Sequence, residues 1–508
     1  MSGRLKEFGC AGMPKIEIPK KLEDINEEVI KQYLPQVLGK FEKRKKKAEF
    51  LQNQFEGFQE ILEKERKYEK GDKYNNRSVE NHTIFQVNFK KGNLSALEFS
   101  YRNAQDKDDL SILKNFQTDV GYKDVEMDKI EDIAVLGMAV TFTQPSKNIN
   151  NPDYNIDYDS PFTYEKVSPL QNFVVYSSKI GVGKDKRLFA VNISEEEVWK
   201  NGLKEVELVY TVYTNRYQLR FNSAFMSYPF SEQYPTKLPY PTNYSEIPME
   251  EHSWNQLRRG VIENCLSEFE VINLIVSNSA DNIVDNANNI IVINDADLED
   301  DDLKAMFDAG AILLKTVPNA GGGKADAKTL YMQFDHDKIN TFYEKRVANA
   351  YAINGVPLPI SNSSSGGDTG EARSLGGGWQ GSYIITKQEI PKLVDGNRLV
   401  LKQFFKCAKL VPNSKLNEIH PNDIKIEYVI NQTDNIQVKT QSLVYMMNSR
   451  VPIKHIVPAV QIWSDEASVI KDWQENEEKY QASLKAGNIN ANQGIALNTG
   501  ENGENLNG

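Results

Sequence analysis

GVPLPISNSSSGGDTGEARSLGGGWQGS, residues Gly355 to Ser382, sets seven glycines between Gly366 and Gly381, with serines, one acid pair and a lone tryptophan. Glycine has no Cβ and loses more backbone freedom on ordering than any other residue. So much of it deep inside a chain marks a loop that moves, turns sharply or lets another surface come close. The flanks read as helix: Asp335–Tyr351 before the loop, and Ser382–Lys409 after it, where Pro391 is expected to interrupt or kink the helix. A flexible loop between helices is the feature that organises the chain.

Working back from the loop, Ile290–Ile293, Ala311–Val317 and Thr329–Phe334 read as strands, Asp297–Ala309 as an acidic helix and Asn319–Ala327 as a glycine loop. This is a small α/β unit between two helices. The helix before it is predicted over Met249–Asp285, about 50 Å at 1.5 Å per residue. The proline-rich segment Tyr234–Pro248 is the clearest boundary. Before it come strands at Phe173–Tyr176 and Arg187–Asn192, a hairpin or meander at Val206–Phe221, and a helix running into a strand over Ile130–Thr143. NHTIFQVNF, from Asn81, reads as strand-like. Residues 22–70 have helical periodicity, with Leu34, Val37, Leu38 and Phe41 and then Phe50, Leu51, Phe55 and Phe58. The basic run Lys43, Arg44, Lys45, Lys46, Lys47 has two open readings: a solvated helix face, or a patch that touches nucleic acid or an acidic partner. Past the loop, Ile424–Ile430 alternates as a strand, Ile436–Met447 and Asp465–Lys485 look helical, and 486–508 is too polar to pack.

The 508 residues are 40% hydrophobic and 26% charged, ordinary for a folded protein of several domains. No apolar run reaches about 18 residues, so no membrane association is expected, and the first residues lack an apolar signal core. Three dispersed cysteines, Cys10, Cys265 and Cys407, argue against a disulfide scaffold. A net charge of −11 disfavours a protein that grips nucleic acid with a basic face.

Motifs for catalysis fail on inspection. Gly323-Lys324 would need a glycine where Pro318 stands and a hydroxyl where Ala325 stands; Gly183-Lys184 meets Ser178 and Asp185 at those positions. The acidic run from Asp295 lacks a glycine at its sixth position and has Met306 where a calcium loop needs glutamate, so it reads as a helix N-terminus. His82, His252, His336, His420 and His455 show no metal spacing. No enzyme activity and no cofactor are expected.

Three stretches carry a resemblance: Ile247–Asp295, Ser363–Ser382 with its GDTG…GW signature, and Ile426–Val460. Together with the order of elements they make the chain similar to the portal (head-to-tail connector) proteins of tailed double-stranded-DNA bacteriophages. The resemblance implies an α+β, multi-domain portal fold with wing, helical stem and small α/β clip, assembled as a ring with a central tunnel. Carried onto this sequence, 1–248 is the N-terminal wing, 249–285 the first stem helix, 286–334 the clip and 335–351 the second stem helix. Residues 352–378 are the tunnel loop, 379–485 the kinked helix, C-terminal wing and short crown, and 486–508 a disordered tail. The tunnel loop then includes Ser363, Ser364, Ser365, Gly366, Gly367, Asp368, Thr369, Gly370, Gly376, Gly377 and Gly378, with Trp379 as its anchor. Lys338, Lys345 and Arg346 are expected to line the tunnel or to form salt bridges between subunits; Lys338 and Lys345 lie seven apart on one helix face. Asp300, Asp301, Asp302 and Lys324 fall in the clip, where docking is expected.

The implied partners are other copies of the chain in a dodecamer, double-stranded DNA in transit, the terminase large subunit, the major capsid protein, a scaffolding protein and a head-tail adaptor. The implied location is the portal vertex of the virion, after assembly in the host cytoplasm. A uniformly basic bore would retain DNA, because each Lys or Arg set against a phosphate releases counterions; an acidic ring lowers that friction. The alternatives are a nucleotide-driven DNA motor or nuclease, which needs the phosphate loop or carboxylate cluster missing here, and a capsid or tail protein without a DNA tunnel, which leaves the glycine loop unexplained.

Overall fold

The computed structural model describes residues 11–63, 75–94, 97–101, 110–200, 203–230, 236–241, 244–287, 290–294, 326–330, 336–358, 379–428, 430, 436–449, 451–460 and 469–479. The chain divides into two units, Met1–Ile430 and Asn431–Gly508. The connector at 234–248 does not separate units: Tyr244 within it is fully buried and Ile247 nearly so.

The first helix, α1 (Glu27–Glu56), starts where the Asn26 side chain accepts the Val29 N–H and ends at Gly57 in the left-handed region, φ 92°. It continues through Pro35, which sits on an exposed face of the helix. Its buried stripe, Ile30, Leu34, Val37 and Phe41, covers a six-stranded sheet. In spatial order the strands are β1 (Ile16–Ile18), β5 (Asn172–Ser177), β6 (Arg187–Lys200), β7 (Leu203–Tyr213), β8 (Tyr217–Asn222) and β9 (Lys237–Pro239). Phe41 stacks on Phe173 with ring centroids 4.4 Å apart. Each such side chain contributes about 1.5–3 kcal/mol on full burial.

NHTIFQVNF is not a strand. It lies in α2 (His82–Leu94), whose buried positions are Thr83, Gln86, Val87, Lys90, Asn93 and Leu94. That is helical spacing, but it is carried mainly by polar residues, while Ile84 and Phe85 are exposed at 45% and 43%. Most of the buried polar groups are paired: Lys90 with Glu389 at 2.8 Å, Asn93 with Thr386, and Gln86 Oε1 with Asn354, while Gln86 Nε2 has no partner. A hydrophobic pattern inverts in this way where a helix docks by its polar face.

Helices α3 (Ser111–Asp119) and α4 (Tyr122–Leu136) lead into β3 (Ala139–Pro145), which is flanked in one sheet by β4 (Phe162–Val167) and β10 (Met249–His252). The predicted helix over Met249–Asp285 is therefore corrected at its start. Met249–His252 pairs antiparallel with β3, and α5 (Val261–Ala287) begins only after the turn at 253–260. Its 27 residues make a helix of about 40 Å rather than 50 Å. Glycines set that turn. A Cβ on Gly260 would lie 2.3 Å from the Ala134 carbonyl oxygen, and one on Gly137, φ 82°, 2.2 Å from that of Arg258.

Beyond α5, β11 (Ile290–Asn294) pairs antiparallel with β12 (Asp326–Leu330), which begins earlier than the strand predicted from Thr329. The predicted helix Asp297–Ala309, the strand Ala311–Val317 and most of the glycine loop lie outside the described residues. Then α6 (His336–Asn354) returns along α5. The next helix, α7 (Trp379–Ala408), is not interrupted: it passes through Pro391, held on either side by Glu389 on Lys90 and by buried Leu393. Further along α7, Phe404 stacks on Phe162 at 3.9 Å. Strand β13 (Ile424–Tyr428) pairs with β2 (Leu97–Tyr101) far back in the chain. In the second unit, α8 (Ile436–Asn448) and α9 (Ile453–Val460) precede a helical stretch at 469–479.

Candidate functional site

Helices α5 and α6, which cover the two segments expected as stem helices, pack against each other. Cys265, Phe269, Ile272, Ala350, Tyr351 and Val356 make their buried seam. The polar end of α5 has a use that periodicity did not suggest. The backbone N–H groups of Asn76, Ser78 and Glu80 donate to Asp281 Oδ1 at 2.8 Å, Ser277 Oγ at 3.0 Å and Asn273 Oδ1 at 2.8 Å. Helix positions four apart rise about 6 Å and alternate residues of an extended chain about 6.6 Å, so the two ladders match. The strap reaches α6 as well: Tyr343 donates its hydroxyl to Glu80 at 2.5 Å, and His82 Nδ1 lies 3.3 Å from the Tyr351 hydroxyl.

On α6, Lys338 and Lys345 are exposed. Arg346 is engaged within its own chain, 3.4 Å from Glu268 of α5 and stacked over Phe342 at 4.8 Å. The tunnel-loop residues from Ser363 to Gly378 lie outside the described residues, as do Asp300, Asp301, Asp302 and Lys324. Trp379 opens α7, but its side chain is not among those described. Lys184 of the second glycine-lysine motif is exposed and bonded to Asp395 at 2.7 Å. Among the described residues no His, Cys, Asp and Glu group is placed to hold a metal, and no helix is long and apolar enough to cross a membrane.

A buried ionic network where α5 leaves the sheet went unread in the sequence. Glu251 accepts from Arg258 Nη2 at 2.7 Å and from the Val174 N–H, and lies 2.9 Å from Arg44 Nη2. Burial alone would raise its carboxyl; the Arg258 and Arg44 guanidiniums overcome this and hold it at about 2. Lys47 donates to Glu263 Oε1 at 2.5 Å, which also takes the Gly12 N–H. The basic run at 43–47 is therefore corrected in part: Arg44 and Lys47, 3% and 6% exposed, face the protein interior, while Lys43 and Lys46 are solvated. One signal was available, since Arg44 follows Phe41 and precedes Ala48 and Leu51 on the buried stripe of α1.

Three carboxylates crowd a second guanidinium. Arg187 meets Asp185 at 2.7 Å, Glu250 at 3.2 Å and Glu246 at 3.5 Å. Of the three, Glu250 alone is buried while it shares the Arg187 cation with the other two, so burial pushes Glu250 up to about 7, only partly opposed by Arg187. A carboxyl raised on folding contributes stability that is complete below its unfolded value near 4.5 and lost as pH rises through 7. Buried His252, held well below its ordinary range by burial and nearby cations, has the opposite dependence. The difference between Glu250→Gln and the parent isolates Glu250. It is expected to grow in the variant's favour by about 2–3 kcal/mol from pH 5 to pH 8. Urea melts at both pH values check this; a pH-independent difference contradicts it.

Compared with known proteins, residues 36–482 match a family model described as phage portal protein, SPP1 Gp6-like. No curated protein matches. Among solved structures, one chain from the neck of a native GTA particle computed with C12 symmetry is similar at 13% sequence identity and a TM-score of 0.38; the match covers 75% of this chain and 90% of that one.

Proposed function

The chain belongs to the SPP1 Gp6-like phage portal protein family, and from that premise we propose that it is the portal itself, a non-enzymatic ring at one capsid vertex. Double-stranded DNA enters through the ring, driven by the terminase, and later leaves through it, while head-completion and tail adaptors dock on the clip. The observation that carries this reading is the family match over most of the chain, 36–482.

The structure supports it through the order α5, the β11–β12 hairpin, α6 and α7, and through apolar surface that one copy leaves uncovered on its stem. Ile283 of α5 and Phe342 and Ile353 of α6 are 55%, 44% and 49% exposed. Neighbouring copies in a ring would cover such a surface. In this reading Lys338 and Lys345 are the sparse cations of the bore, Arg346 braces α6 on α5, and the segment from Ser363 to Gly378 bends around DNA. Asp300, Asp301, Asp302 and Lys324 present the clip to motor and adaptor.

Shortening Ser361–Gly367 is predicted to leave ring assembly intact and to impair DNA packaging or retention, measured by packaged genome per particle. Unchanged packaging contradicts the tunnel role of the loop.

A further inference from the structure

A cavity of about 570 Å³ lies at the foot of the ionic network, bounded by the segment before β1, the start of β6, β10, the turn at 253–258 and α7. In a chain with net charge −11, its lining holds eight Lys or Arg against four Asp or Glu. The four acids are already engaged: Asp185 and Glu250 on Arg187, Glu251 on Arg44 and Arg258, and Asp395 on Lys184. Lys15, Lys186, Lys392 and Lys402 have no ion-pair partner among the described residues, and all four are solvent-exposed at the rim.

Below the rim, four buried side chains each keep one atom without a hydrogen-bond partner: Glu250 Oε2, an acceptor whose charge faces Arg187 at 3.2 Å, and then the Tyr176 hydroxyl, Arg258 Nη1 and His252 Nδ1. The last three are 4%, 3% and 1% exposed, and all three residues line the cavity. Two are donors by chemistry. The third becomes one when Thr141 Oγ1, 2.8 Å away, donates to His252 Nε2 and leaves the ring proton on Nδ1. A buried donor without a partner costs about 1–3 kcal/mol, and here three share one cavity. Arg258 holds a left-handed backbone, φ 57°, as it reaches this position.

We propose that this cavity is a binding site for a compact, multiply charged oxyanion of the phosphate class, with acceptor oxygens on the Tyr176, Arg258 and His252 donors and charge compensated by the rim lysines. A free small anion fits better than a nucleic-acid backbone. Phosphates on a duplex are fixed to the outside of a stiff rod and cannot descend to groups this deeply buried. Lys15 agrees with the assignment: although its side chain reaches solvent at the rim, partial desolvation against the cavity wall and then the nearby Arg258 cation lower its proton affinity, which a bound anion would restore. The site is complete within one copy and does not depend on the ring.

The test is calorimetric titration and thermal melting of the full chain in magnesium-free buffer. The ligands are sodium pyrophosphate, inorganic phosphate, sodium chloride at matched ionic strength, and a short DNA duplex. Saturable pyrophosphate binding is expected, with a rise in Tm that chloride does not reproduce. Tyr176→Phe should weaken it about three- to tenfold, the loss of one hydrogen bond, without lowering the Tm of the anion-free protein, since it removes a buried donor that has no partner there. Lys15→Glu combined with Lys392→Glu should weaken it at least about tenfold. Stabilisation that follows ionic strength alone, variants that bind like the parent, or binding of the duplex without pyrophosphate would each overturn the proposal.

Discussion

Replacing Glu251 by glutamine is expected to lower the unfolding free energy by roughly 3–5 kcal/mol, the usual cost of leaving buried charges without their counter-charge. Glu251 is the only acid within ion-pair distance of Arg44 and Arg258 among the described residues. Arg44 is already poorly served, with Nε and Nη1 buried and without hydrogen-bond partners. Glutamine removes the charge and turns an N–H₂ group toward one of three donors. Arg44→Met is expected to cost less, because it removes a desolvated cation and leaves Glu251 held by Arg258 and the Val174 N–H. The acid limb gives an independent check. A carboxyl held at about 2 contributes stability present above its unfolded value near 4.5 and lost as pH falls toward 2. The parent should weaken steeply over that interval and the Glu251→Gln variant less so. Equal acid sensitivity in the two proteins contradicts the network.

Gly137→Ala is expected to cost about 3–5 kcal/mol, combining left-handed strain with a backbone overlap that cannot relax. Gly121 supplies the control at the other end of α4. Both glycines have positive φ, 82° at Gly137 and 62° at Gly121. A Cβ on Gly121 meets nothing within 4 Å, whereas one on Gly137 lies 2.2 Å from the Arg258 carbonyl oxygen. Gly121→Ala should therefore cost about 1 kcal/mol, the conformational part alone, and the difference measures how tightly the turn before α5 is pressed onto α4. Equal costs would show that the turn yields. Its position matters for the portal reading, because this turn carries Arg258 and sets the direction in which α5 leaves the sheet.

Legibility from sequence followed the physical origin of each element. Helix α5, the β7–β8 hairpin and β13 were readable because their apolar residues repeat at the period of the element. The α2 helix was misread because it buries Gln86, Lys90 and Asn93 and exposes Ile84 and Phe85, so hydrophobicity marked the wrong face. Met249–His252 was absorbed into the following helix because two glutamates in a strand look solvated until their partners are in place: Arg187 and Arg44 from distant sequence, and Arg258 from the turn that follows. Pro391 was expected to interrupt a helix that anchoring on both sides keeps continuous. The strap on α5 uses Asn273, Ser277 and Asp281 at a spacing of four, visible in the sequence but without meaning until Asn76–Glu80 is laid alongside. Of the site residues, Lys338, Lys345 and Arg346 fall on α6, and Arg346 is engaged with Glu268.

The central claim, a ring that conducts DNA, is tested most directly by negative-stain imaging of the purified full chain at increasing concentration. Closed rings with a central hole wide enough for a duplex are the result the portal reading predicts. Monomers only, or flat sheets without a hole, at high concentration would contradict it.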